Sequence, residues 1–435
     1  MELGEGGAHV TRSSTQPDVS MNERTPPLLR GLMSAVLGAA ACVVWMSLAS
    51  AQTISADPPF GERASFRLDK GTLRVQGASR SLLDKVGVSA FRYFRLLARQ
   101  FAARTCYEFR DLRWRLPSVA VHGDPHIEQF VITKDSYGLA DFDRAGFGPS
   151  VVDLVRYAAS IHLACREVTW PCDPGQAVTA YFTAYRTALD HPGTRSKPAV
   201  VDRLRAGVAQ DRQTWLNWAE GLMQPMSAAD EQMFRKGWVR FIRLMRETSP
   251  TRPETFYRIS RVGTVEIGIG SALEPKALIR IAGPTDQPDD DLILEARVTA
   301  IPREHECVSR PANGGSLNVL MLTSLLGQRL PEVFGFLPLE GAREAPELWI
   351  ESWDPGYREI SLSDVRSQAD LNELATDAGS QLGGYFWATF PEPLRGHQRF
   401  AQLRAFELSE ARARDLTREL VRETVSEWDR FRRQR

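Results

Sequence analysis

Apolar residues recur at helical spacing in some stretches of this chain and in strand-like alternation in others. Residues 86–109 set Phe91, Phe94, Leu97 and Phe101 three or four positions apart, which aligns them on one helix face. Residues 151–164 and 177–189 read as strongly apolar helices. Residues 202–222 and 228–247 read as two long amphipathic helices rich in aromatics. Extended runs on either side of Asp69-Lys70-Gly71, at 65–68 and 72–75, predict a hairpin. Short strands are predicted at 116–121, 130–133 and 136–140. After the Pro-Thr-Arg-Pro break at 250–253 the pattern turns to strand, at 258–270, 277–282, 291–298 and 347–353, with an apolar helix at 316–330. Residues 367–390 and 400–431 return to helix, the second with Leu416, Leu420, Val425, Trp428 and Phe431 on one face.

Composition adds little to this picture except at the N-terminus. The chain has 435 residues, 43% hydrophobic and 25% charged, with zero formal net charge, so a nucleic-acid partner is not expected. Residues 31–48 form an apolar run behind Arg24 and Arg30, followed by Ala49-Ser50-Ala51. These are the parts of a secretory signal cut before Gln52. The run is also long enough to serve as an uncleaved membrane anchor. The acids Glu2, Glu5 and Asp18 suit a signal poorly, and Met21 offers a more ordinary start. Either form exports the chain, to the periplasm or beyond, and any membrane contact is through this segment. Residues 52–62 read as a linker. Past it lie Cys106, Cys165, Cys172 and Cys307. Export permits disulfides; Cys165 and Cys172 bracket a short Pro-containing turn and form the expected bridge, with buried free thiols as the alternative.

The chemistry concentrates in one place. His122-Gly123-Asp124-Pro125-His126-Ile127-Glu128-Gln129 is followed by Asp141-Phe142-Asp143. An acid in a loop, an amide five residues on and a second acid heading a short turn is the layout of a phosphoryl-transfer site. Asp124 suits the base that orients a hydroxyl. Asp141, with Gln129 and Asp143, suits a hard cation such as Mg2+. His122 and His126 would hold the loop by hydrogen bonds, and Asp153 would cap or brace it. The run His122-x-Asp124-x-His126 also resembles a metal-ligand series, which Asp141, Asp143 or His162 could complete as a metal-dependent hydrolase.

These residues resemble the HGDxHxxN and DFD segments of aminoglycoside and choline phosphotransferases. The chain is more similar still to the bacterial domain of unknown function 2252 (DUF2252) family, through Gly148-Pro149 and Asp153-Leu154-Val155-Arg156. The resemblance implies an α+β, two-lobed, protein-kinase-like fold that binds Mg2+ and ATP or another nucleotide. Its nucleotide-lobe strands would follow the catalytic loop in sequence. The expected organisation is a helical lobe with the catalytic loop at 63–250, a β-rich lobe at 251–360 and C-terminal helices at 361–435 that return to the helical lobe. Gly263, Gly268 and Gly270 would let backbone approach phosphates.

Three departures from the family pattern stand out. Gln129 replaces its Asn. Arg297, in Leu294-Glu295-Ala296-Arg297, replaces its phosphate-binding Lys. The stretch 316–330, where the partner acid of that Lys would lie, has no acid. The expected activity is phosphoryl transfer to a small hydroxyl-bearing molecule. The alternative from another class is a catalytically degenerate relative that binds a ligand or partner.

Overall fold

The computed structural model describes residues 63–434 apart from 192, 196, 208–210, 250, 254, 266–275, 286, 299–306, 310–330 and 339–346. The signal or anchor, the linker, the helix expected at 316–330, Gly268 and Gly270 lie outside the described residues. The fold is α+β with antiparallel sheets.

The expected hairpin at 65–75 is instead helix α1 (Lys70–Val75). The Asp69 carboxylate accepts the amide of Thr72 at 2.8 Å, capping the helix. Leu73 and Phe66 enter the core. Alternation alone suggested a strand, but a capped turn satisfies its own amides and needs no partner strand. The long helix expected over 86–109 is likewise broken, into the end of α2 (Arg80–Gly87), α3 (Ala90–Arg95) and α4 (Ala98–Glu108). Ser89 starts α3 by accepting from the amide of Arg92.

Strand β1 (Ser118–Val121) pairs with β4 (Gly146–Pro149), and between them lies the hairpin of β2 (Phe130–Ile132) and β3 (Tyr137–Leu139). Helices α5 (Val151–Ala164) and α6 (Pro174–Asp190) follow as the apolar pattern predicts. The single helix expected over 202–222 is two, α7 (Ala199–Arg205) and α8 (Arg212–Gly221), the second capped by Asp211. Helix α9 spans Ala228–Thr248.

Strands β5 (Ile259–Thr264), β6 (Lys276–Ile281), β7 (Leu292–Val298), β8 (Phe334–Pro338) and β9 (Glu347–Ser352) form an antiparallel sheet in the order β5-β6-β7-β9-β8. One face, with Ile279, Leu294 and Ile350, packs on Phe234, Trp238 and Phe241 of α9. Each such aromatic contributes about 1.5–3 kcal/mol by burial. On the other face Leu278 and Ile293 lie under Trp215 and Leu216 of α8. Alternation puts Lys276, Glu295, Arg297 and Glu351 on that second face too, toward one end.

Strand β10 (Arg358–Glu359) then joins β2. Helices α10 (Gln368–Thr389) and α11 (Glu392–Arg433) pack into the same core as α5 and α6. A Cβ on Gly379 or Gly383 would lie 2.3 Å from the Tyr181 carbonyl or 2.6 Å from that of Tyr185, so glycine lets α10 and α6 approach backbone to backbone. All described residues belong to one compact unit.

Two disulfides tie the fold. Cys165–Cys172 is the bridge the turn suggested. Cys106–Cys307 was not legible in the sequence: it spans 201 residues and fastens α4 to the segment beyond β7. Among the described residues no helix is long and apolar enough to cross a membrane.

Candidate functional site

Strand β1 delivers the chain into His122-Gly123-Asp124 with a sharp reversal. Gly123 has φ +85°, and a Cβ there would stand 2.0 Å from the Arg144 carbonyl oxygen. Only glycine fits. The turn is fixed from below by Asp153 in the first turn of α5. Its carboxylate accepts the amides of His122 at 2.6 Å and Gly123 at 2.9 Å. Burial pushes the Asp153 carboxyl up to about 6, against the pull of His122 and these two amides.

One helical turn on, Arg156 reaches Asp124. Its Nε and Nη2 lie 2.8 Å and 2.7 Å from the same oxygen, Oδ1. The guanidinium also lies 3.5 Å from the centre of the Phe94 ring, and Nη1 donates to the Phe94 carbonyl at 3.1 Å. Asp124 and Arg156 are 4% and 1% exposed, so this is a charge pair taken out of water. Burial draws the Arg156 guanidinium down to about 10, with the Asp124 charge opposing. The other oxygen, Oδ2, lies 4.0 Å from Nε of Arg144.

His122 braces the loop with both nitrogens. Nε2 is 2.9 Å from the Ala140 carbonyl, and Nδ1 accepts the Asp124 amide at 3.4 Å. His126 departs from expectation. It packs edge-on against the Phe91 and Phe94 rings, and its Nδ1 has no hydrogen-bond partner among the described residues. Burial, then the charges of Arg95 and Arg156, hold its pKa well below the usual value, so it stays neutral. Both rings therefore position the loop.

The hairpin β2–β3 brings Gln129 back to Asp141. Register pairs Phe130 with Leu139, and Ala140 donates its amide to the Gln129 carbonyl. The Gln129 side-chain nitrogen ends 3.2 Å from Asp141 Oδ2. Asp141 has φ 66° and ψ 64°, and is the one non-glycine with positive φ among the described residues. Such a conformation costs about 1–3 kcal/mol and persists where surroundings enforce it. Phe142, buried against the His122 ring, is one enforcing group. Arg297 is another: its Nη1 lies 2.8 Å from Asp141 Oδ1, although 156 residues separate the two. Asp143 is half-buried beside them. Burial, then the negative charge of Asp141, pushes its pKa up. Burial also acts on Asp141, but the charges of Arg297 and Lys276 outweigh it and hold this carboxyl below its usual value.

Arg297 does not point to solvent. Besides Asp141 it meets Glu351 on β9, Nη2 to Oε1 at 3.2 Å. Glu351, on a neighbouring strand, is thus a second acid partner of Arg297. Directly across from Arg297 in the sheet is Lys276, whose ammonium lies 3.1 Å from Glu295. Trp353 Nε1 donates to the other oxygen of Glu295 at 3.0 Å. Sequence reasoning passed over Lys276, Glu295, Glu351 and the Asp124–Arg156 pair. The signal available was the charge alternation in otherwise apolar strands, Lys276/Arg280 and Glu295/Arg297.

Gly263 has a packing reason of its own. A Cβ there would meet the Gln224 carbonyl oxygen at 2.6 Å, so that chain segment takes the close approach expected of phosphate. The hydrolase series does not converge: His122 faces Ala140, His126 its aromatic pocket and Asp124 Arg156. Among the described residues no group of three or more His, Cys, Asp or Glu is placed to hold a metal ion.

No curated protein and no solved structure matches this chain. The loop, the Asp141 hairpin and Arg156 all fall within residues 74–263, and by that segment the chain is similar to the family described as "Uncharacterized protein conserved in bacteria (DUF2252)".

Proposed function

We propose that this protein is a kinase-like phosphotransferase that moves a phosphoryl group from a Mg-nucleotide to the hydroxyl of a small molecule. The observation that carries the reading is the 2.8 Å contact between Arg297 and Asp141. It joins the third strand of the five-stranded sheet to the acid after the loop, the two halves such a site needs. Asp124, with Oδ1 held by Arg156, accepts the hydroxyl proton as the acceptor oxygen bonds to the terminal phosphorus. The bond from that phosphorus to the bridging oxygen breaks, and the nucleoside diphosphate leaves. Arg297 and Lys276 raise the positive potential beside Asp141, where the phosphates would lie.

The donor set fits magnesium through Gln129 and Asp141. An amide turned by half a rotation presents its carbonyl oxygen instead of its nitrogen. Lying 3.2 Å from Asp141 Oδ2, it would then offer a hard cation a second oxygen ligand beside the carboxylate. Asp143 lies beside this pair. Gln129, Asp141 and Asp143 would hold the ion, whose charge would offset the charge that develops on the phosphate oxygens.

A second reading is supported by the two disulfides. They suit an oxidising, exported setting, where nucleotide triphosphates are scarce. There the same fold would bind a ligand or partner without transfer. Thermal-shift titration of the mature protein with Mg-ATP, Mg-GTP and Mg alone, repeated on Asp141→Ala, separates the two. A nucleotide at one hundred times its Kd adds about 2.7 kcal/mol. A shift that needs both metal and Asp141 supports the phosphotransferase. No shift with either nucleotide leaves only the second reading.

A further inference from the structure

A half-buried lysine and a buried arginine face each other across β6 and β7. Lys276 and Arg297 are direct cross-strand partners, and alternation puts both side chains on the face that bears Glu295 and Glu351. Like charges directly opposite one another destabilise a sheet. Each is offset by carboxylates, but in different ways.

Arg297 is fully committed. One arm of its fork holds Asp141 at 2.8 Å and another holds Glu351 at 3.2 Å, and the residue is 7% exposed. A planar guanidinium spanning two acids in fixed geometry has little reach for a third anion. Its charge is already shared between two carboxylates.

Lys276 is built differently. Its ammonium has one ion-pair partner among the described residues, Glu295, at 3.1 Å. An ammonium carries three donors on a flexible stem, so it can keep one carboxylate and still donate to a phosphate oxygen. Glu295 is itself anchored from its second oxygen by Trp353 Nε1 at 3.0 Å. The pair is therefore a positioned cation with donors to spare. Asp141 is close enough for its charge to act on Lys276.

We propose that Lys276, not Arg297, is the cation that contacts the nucleotide phosphates, with Glu295 as its positioning residue and Arg297 as the latch that holds Asp141 to the sheet. The compact lysine absent from the third strand is thus supplied by the second, at the adjacent register position. This inference rests on the phosphotransferase reading above.

The test compares the thermal shift given by Mg-ATP with that given by Mg and adenosine; the difference is the phosphate increment. In the wild type the increment is positive. Lys276→Met abolishes it, and Lys276→Arg keeps part of it. Lys276→Met that is folded by circular dichroism and keeps the full increment overturns the assignment. No wild-type shift with Mg-ATP overturns the nucleotide reading itself, and Lys276 with it.

Amine-acylation footprinting of the wild type by mass spectrometry needs no variant to fold. Mg-ATP, and not Mg with adenosine, protects Lys276, while the exposed Lys85 and Lys134 keep their reactivity. Unchanged reactivity of Lys276 in a sample whose melting temperature Mg-ATP raises would refute the proposal and leave the phosphotransferase reading standing.

Discussion

Replacing Arg156 by methionine strands a carboxylate. Asp124 is 4% exposed, and both nitrogens that Arg156 offers it, at 2.8 Å and 2.7 Å, go to one oxygen. Removing one partner of such a pair costs about 3–5 kcal/mol, because the other charge stays buried without compensation. Arg156→Met also loses the donation to the Phe94 carbonyl, about 1 kcal/mol. The methionine refills much of the volume beside Phe94 and Phe101, so the loss is electrostatic more than a cavity effect. Asp124→Leu strands the guanidinium instead and costs a similar amount. In Asp124→Leu/Arg156→Met neither charge remains, and apolar replacement of a buried pair is often close to neutral. The double variant should therefore be more stable than either single one, with a coupling energy of at least about 2 kcal/mol. Urea unfolding of the four proteins at pH 7, disulfides intact, measures this, and the coupling should change little with added salt because the pair is buried. Additivity within about 0.5 kcal/mol would show that the two side chains do not act as a pair.

Other consequences follow from the same geometry. Gly123→Ala forces a positive φ and a Cβ 2.0 Å from the Arg144 carbonyl; it should cost at least about 2 kcal/mol from strain and overpacking, read as a drop in the urea midpoint. Asp153 has its folded pKa raised from 3.8 to about 6, so its contribution is fully present below pH 3.8 and is lost as pH rises through 6. Wild-type stability should fall over that window by up to about 3 kcal/mol relative to Asp153→Asn, and parallel pH profiles of the two proteins would contradict this. Asparagine tolerates the left-handed conformation but gives up the Arg297 ion pair, so Asp141→Asn should keep the turn, lower stability in urea by more than about 1 kcal/mol and lose any metal-dependent nucleotide shift. Cys106–Cys307 closes 201 residues and Cys165–Cys172 closes 7. Chain entropy then assigns about 5 and about 2.5 kcal/mol to them, so serine variants of the first pair should melt at clearly lower temperature than those of the second.

Local signals were reliable where local physics decides. The apolar period placed α5 at Val151–Ala164, and the loop–strand–turn–strand order around Gln129 and Asp141 appears as β2 and β3. It failed at 65–75, where alternation suggested strands and a single Asp69 cap made a helix. A pattern of side chains cannot say whether a neighbouring strand exists, whereas a cap is complete within four residues.

The sequence by itself determined that Gln129 meets Asp141, because backbone pairing of β2 with β3 brings the two ends of one hairpin into reach. Only the tertiary structure decided what meets that hairpin. Arg297 reaches Asp141 across 156 residues, Glu351 takes its second arm, and Lys276 stands opposite with Glu295. Strand register sets those pairings. Register depends on how whole strands seat their apolar faces against α9, which no local spacing encodes.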